Sequence, residues 1–173
     1  MNTLPRCSYF FAYMFLLVIL SSCKSGTNKS GQSSQGADTI NKTDTVTDVR
    51  TILSKSESLI ADNKLEDATN YISARLNRCH GADKAVLLNE RGTTYFLRDD
   101  FENAVADYLS TVDIEPKNPV YLYNVAKTYE ELESRNNASF FAKKILDLNS
   151  ATDSDRLAAQ NLIQRCDRLN FGH

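Results

Sequence analysis

Cysteine and histidine hold most of the nucleophilic and metal-binding chemistry open to this chain, which has four of the first and two of the second. Cys23 follows Leu20, Ser21 and Ser22, so a soft thiol sits directly behind two side chains small enough for a narrow peptidase cleft. That thiol is a soft nucleophile open to alkylation. Cys79 and Cys166 lie in the body of the chain. Each continues an apolar helical stripe, which is the setting of a small buried hydrophobe. They fall at the ends of different hairpins, so no bridge between them is expected. His80 follows Cys79, but a metal site needs three or four converging ligands, and the second histidine is the C-terminal His173. No nucleophile stands with both a base and an orienting group, and no glycine-rich loop follows a strand. The expectation is a chain with no catalytic residue, no cofactor and no metal.

Charge narrows the partners. Twenty basic residues against twenty-two acidic ones give −2, which supplies no footprint for nucleic acid and no polybasic surface for anionic lipid. Membrane attachment must come from the N-terminus. There Met1 to Arg6 is a short, weakly basic lead and Tyr9 to Leu20 is an unbroken apolar run. A transmembrane helix needs about 20 apolar residues, and a signal-peptide core about 7–15. With Leu20-Ser21-Ser22-Cys23 behind it, the segment resembles the lipobox of bacterial lipoproteins. The resemblance implies that residues 1–22 are a cleaved signal peptide. It also implies that Cys23 is lipidated, with palmitate among its acyl groups, and that the protein is anchored in the bacterial cell envelope, at the outer membrane in preference to the inner. Residues 23–46 are rich in Ser, Thr, Gly, Asn, Lys and Gln and are expected to form a disordered tether. Its root-mean-square reach is roughly 25 Å.

The remaining body, 47–173, reads as seven amphipathic helical segments with no period-two strand run. Val49, Ile52, Leu53, Ser56, Leu59 and Ile60 share one helix face. Leu65, Ala68, Ile72, Leu76 and Cys79 share another, with Asp62 and Asn63 before them as expected N-caps. The strongest pattern is Leu88, Gly92, Tyr95, Phe101, Ala104, Tyr108 and Pro116. Gly92 and Ala104 are small where two helices would approach most closely, the aromatics fill the space beside them, and Pro116 stops the second helix. About 34 residues on, Leu122, Ala126, Tyr129 and Ala138 keep the register, with Ala142 and Ser150 in place of an aromatic and a proline. Asn118-Pro119 reads as an N-cap followed by proline at the first helical position.

These residues resemble the tetratricopeptide (TPR) repeat. The resemblance implies an all-α, right-handed solenoid of three helical hairpins, at about 49–84, 85–118 and 119–152. A capping helix follows at 153–170, opened by a Thr152–Asp155 capping box and striped by Ala159, Leu162, Ile163, Cys166 and Leu169. Arg156, Gln160, Arg165, Asp167 and Arg168 are expected on its outer face. Glu130, Glu131 and Glu133 read as a solvated face beside Lys127 and Arg135.

For function, the resemblance implies a concave peptide-binding groove. Its floor would be Val86, Asn89, Thr93 and Phe96 from one repeat and Val120, Tyr123, Lys127 and Glu130 from the next. Asn124 falls where family members that clamp a C-terminal carboxylate place an asparagine, but Leu53 and Glu57 stand where their basic residues would be. The expected role is protein–protein interaction or scaffolding in the envelope, with an envelope protein or peptide segment as partner. The alternative is an accessory or regulatory subunit of an envelope enzyme, secretion or assembly complex.

Overall fold

A computed structural model describes residues 48–170 of the chain, except for the side chains of residues 169 and 170. The expected 1–22 signal segment, Leu20–Cys23 box and 23–46 tether lie outside the described residues. Among the described residues seven helices follow one another: α1 (Val49–Ala61), α2 (Leu65–Leu76), α3 (Gly81–Leu97), α4 (Phe101–Ile114), α5 (Pro119–Glu131), α6 (Arg135–Leu146) and α7 (Asp153–Asn170). Among the described residues there is no strand. Each helix packs on the next, so α1/α2, α3/α4 and α5/α6 form three hairpins stacked in line. The result is an all-α helical repeat solenoid. Alternate helices also meet: α1 packs on α3 and α5 on α7, and α3 and α5 are joined by a side-chain hydrogen bond. No two of α2, α4 and α6 pack comparably. The helices α1, α3, α5 and α7 are here called the A layer.

The repeat is written most regularly in the backbone of the three hairpin turns. Asn63, Asp99 and Glu133 all take left-handed conformations, with φ of 58°, 58° and 56°. In each turn the next residue donates back across the turn, from Lys64 to Leu59, Asp100 to Tyr95 and Ser134 to Tyr129, at 2.8, 3.0 and 2.9 Å. Asn63, Asp99 and Glu133 donate to Ile60, Phe96 and Glu130 at 2.9, 3.1 and 3.1 Å. This is the paired closure of a Schellman motif, made three times without glycine. It corrects one expectation. Asp62 and Asn63 end α1 rather than cap α2, which begins behind Lys64 with no side-chain cap. Asparagine serves both as an N-cap and as a left-handed helix end, so its type alone does not separate the two.

Elsewhere the caps follow the residues. Asn118 Oδ1 accepts from the Val120 amide at 3.1 Å with Pro119 at the start of α5. The Thr152 amide donates to Asp155 Oδ2 at 2.9 Å and the Asp155 amide to Thr152 Oγ1 at 3.2 Å. Two apolar clusters hold the stack. The larger runs from Ala85 through Tyr108, Leu122, Ala138 and Ile145 to Leu162 and Cys166. The smaller joins Ile52 of α1 to Ile72, Leu76, Cys79, Leu87 and Leu88. Cys79 and Cys166 are both buried and unbridged. Gly92 lies under the Tyr108 ring, Ala104, Ala126 and Ala138 are wholly buried, and Tyr129 stacks on Phe141 at 5.8 Å.

Candidate interaction groove

A polar side-chain pair crosses each step of the A layer. Ser56 of α1 meets Glu90 of α3 at 3.0 Å. Asn124 Nδ2 of α5 donates to Asn89 Oδ1 of α3 at 2.7 Å. Arg165 of α7 donates twice to Glu130 of α5, from Nε at 2.7 Å and from Nη2 at 3.1 Å. The partners are 34, 35 and 35 residues apart, so a single register places one contact per repeat.

The Glu130 rung is the most charged part of this face. Lys127 Nζ lies 2.9 Å from Glu130 Oε2 and 2.6 Å from Glu131 Oε1. Burial pushes the Glu130 carboxyl up, but the bonds from Arg165 and Lys127 outweigh it and hold the group below its ordinary 4.5. Burial likewise draws Lys127 down, and its two glutamates lift it above 10.5. Tyr123, half-buried against the larger core, is within hydrogen-bonding reach of Arg165. Two cations and two carboxylates thus neutralise one another along α5 and α7, so the acidic run is an ion-pair network more than a bare solvated face.

The residues expected to line the floor divide. Asn89, Asn124, Tyr123 and Lys127 come together on the A layer, all half-buried. Thr93 does not belong to an open floor. It is 9% exposed, donates to the Asn89 carbonyl at 3.0 Å, and lies 3.1 Å from the Tyr108 hydroxyl. Phe96 packs edge-on to Phe101 at 5.2 Å and supports the α3/α4 turn. Of the three arginines expected on the outer face of α7, Arg168 is exposed, and Arg156 and Arg165 turn inward. Arg165 faces the A layer because α7 packs on α5 and α6 as a fourth A helix would. Arg156 donates to the carbonyls of Leu146 and Leu148, each at 2.6 Å, and so closes the end of α6. Arg165 could have been found from sequence, since its distance from Glu130 repeats the Asn89–Asn124 interval.

Three further polar pairs tie α3 to its other neighbours. Arg91 holds Asp107 of α4 through two 2.7 Å bonds and Ser73 of α2 through a third of 3.0 Å. Thr69 of α2 meets Thr94 at 2.9 Å. His80 is exposed at the start of α3, and among the described residues no group of three or more His, Cys, Asp or Glu could hold a metal ion.

Solved structures share this architecture. The first TPR domain of Spaghetti (RPAP3), bound to the HSP90 peptide SRMEEVD, matches with a TM-score of 0.58 at 15% identity, over 70% of this chain and 92% of that one. The Sgt2 TPR domain from Aspergillus fumigatus matches with a TM-score of 0.60 at 16% identity, over 72% and 82%. The fold is that of TPR domains. No protein-family model matches the sequence, and no curated protein does.

Proposed function

We propose that this chain is an interaction module of the bacterial cell envelope that holds an extended segment of another envelope protein along its A layer. Lipidated Cys23 would be its anchor and the 23–46 segment its tether. The observation that carries the binding reading is the Asn89–Asn124 rung. Their mutual bond uses one donor and one acceptor, which leaves the Asn89 amide hydrogens and the Asn124 carbonyl oxygen for a guest. Those are the groups that meet a peptide main chain. A solved relative in fold carries a peptide, which supports the same use. Lys127 and Arg165 are already engaged, so a guest carboxylate must displace Glu131 or Glu130, and the groove favours neutral or main-chain contacts over acidic tails.

The test is a photocrosslinker placed at Lys127 in the A layer or at the exposed Glu102 of α4, in the lipidated protein on its own membranes. An adduct from position 127 but not from 102 is expected, and Asn124→Ala should reduce its yield. Adducts only from 102 would overturn the groove and favour the accessory-subunit reading. Labelling with palmitate tests the anchor separately: label that persists in Cys23→Ala, or is absent from the parent, would overturn it.

A further inference from the structure

Glu90 is a carboxyl group in the seam between α1 and α3, 6% exposed, with one hydrogen-bonding partner, Ser56. Ser56 is itself fully buried, and its hydroxyl oxygen also lies 2.8 Å from the Leu53 carbonyl. A hydroxyl has one hydrogen to donate. Shared between the Leu53 carbonyl at 2.8 Å and Glu90 Oε1 at 3.0 Å, that one hydrogen is all the side-chain hydrogen bonding a Glu90 carboxylate would receive in this buried seam. No cation supplements it. The neighbouring Arg91 is engaged by Asp107 and Ser73. From α1 the charged group acting on Glu90 is Glu57, which is also acidic. From α4 it is the buried Tyr108 phenol. To the same helix, α2 presents the hydroxyls of Thr69 and Ser73, and α5 presents the Asn124 amide. None of these supplies positive charge. The apolar grip on α1 is also separate, since Ile52 belongs to the smaller cluster and not to the main core.

We propose that Glu90 is an acid-operated latch: as a neutral carboxylic acid it fastens α1 to the stack, and its ionisation loosens α1 while the main core stays folded. Burial raises the Glu90 carboxyl, the Ser56 bond lowers it and Glu57 raises it, leaving it at about 7 against an ordinary 4.5. The direction of the effect follows by linkage. Below about 4.5 the carboxyl is protonated whether α1 is docked or released, and the latch is fully closed. Between 4.5 and about 7 the released state ionises first, so release becomes about tenfold more favourable for each pH unit. Above about 7 both states are ionised and the effect levels off. The total change is on the order of a few hundredfold. Because α1 is the first helix of the A layer, acidification would lengthen the ordered concave face and neutral pH would shorten it.

Hydrogen exchange on the full chain from pH 5 to 8, corrected for the chemical exchange rate at each pH, tests this. The expected result is that α1 amides open more readily than α5 amides and lose protection as the pH rises toward 7. In Glu90→Gln, whose amide can donate to Ser56 at any pH, that loss should vanish. A carbon-13 titration of the Glu90 carboxyl in the parent gives a second measurement that needs no variant, and its midpoint should lie near neutrality. The proposal is overturned if α1 protection is flat across the range, if Glu90→Gln keeps the dependence, or if the carboxyl titrates near 4.5. It is overturned equally if α1 and α5 lose protection together, since Glu90 would then act only on the whole fold.

Discussion

Gly92→Ala sets the closest approach between α3 and α4 against the ordinary helical preference for alanine. A β-carbon at Gly92 would stand 2.8 Å from Cε1, 2.9 Å from Cδ1 and 3.2 Å from Cζ of Tyr108. The ring cannot swing aside easily, being 1% exposed with its hydroxyl 3.1 Å from Thr93 Oγ1. Overpacking of this kind costs about 1–3 kcal/mol. Alanine in place of glycine inside a helix contributes about 0.8–1 kcal/mol in the opposite direction. The single variant should therefore be destabilised by up to about 2 kcal/mol. In a Tyr108→Leu background the obstructing ring is gone, and the same substitution should stabilise by about 1 kcal/mol. Urea unfolding followed by far-ultraviolet circular dichroism measures all four corners of the cycle. The expected coupling is about 1–3 kcal/mol with a reversal of sign. Alanine stabilising both backgrounds equally would refute the contact and with it the register of the hairpin.

Glu133→Gly should raise the thermal midpoint, by about 1 kcal/mol of stability, because it removes a β-carbon from a left-handed position; Asn63→Gly should give less, asparagine being better tolerated there. Arg91→Met should cost about 2–3 kcal/mol in the same melts, since it strands Asp107, which is 6% exposed, without its two-bond partner. Glu130 titrates below 4.5 in the folded state, so its contribution to stability is present above 4.5 and lost as the pH falls through that lower value. The stability difference between the parent and Glu130→Gln should shrink accordingly in acid, and a difference independent of pH would count against the Arg165–Glu130–Lys127 network.

The hairpins were legible because close helix approach dictates residue type. Where Gly92 meets Tyr108, the third repeat has Ala126 and Ala142, and the first has Ser56 and Ile72. All six are buried, with a small residue on the first helix of each hairpin and Tyr108, Ala142 or Ile72 at the matching place on the second. The first repeat was harder to read since Ser56 and Ile72 preserve the relation while changing both residue types. Its turn nevertheless has the same backbone shape as the other two. Of the residues expected to line a groove, Asn89 and Asn124 do meet across the A layer, and Thr93 does not stay open beside them. Thr93 shares a helix face with them, but its hydroxyl and methyl are small enough to be drawn under Tyr108. A helical wheel shows that one flank of α7 is polar without showing whether water or a neighbouring helix faces it. Arg156 and Arg165 were placed by that flank and relocated by packing. Glu90 escaped notice because a glutamate on a helix is ordinarily solvated; only the neighbouring helix reveals that it is covered.

The one-rung-per-step construction of the A layer gives the solenoid the mechanics of a leaf spring. Within a hairpin the helices are locked by interdigitated apolar side chains, which resist shear because any slip opens a void. Between A helices polar crossing bonds are added to the apolar core the hairpins share, and each such bond can be traded for water at a net cost of only about 0.5–1.5 kcal/mol, or somewhat more where the rung is charged. The rungs themselves therefore add little resistance to bending of the stack, which falls mainly on the shared core. The curvature of the face can change at small cost in these bonds, while their spacing along the axis stays fixed by the repeat.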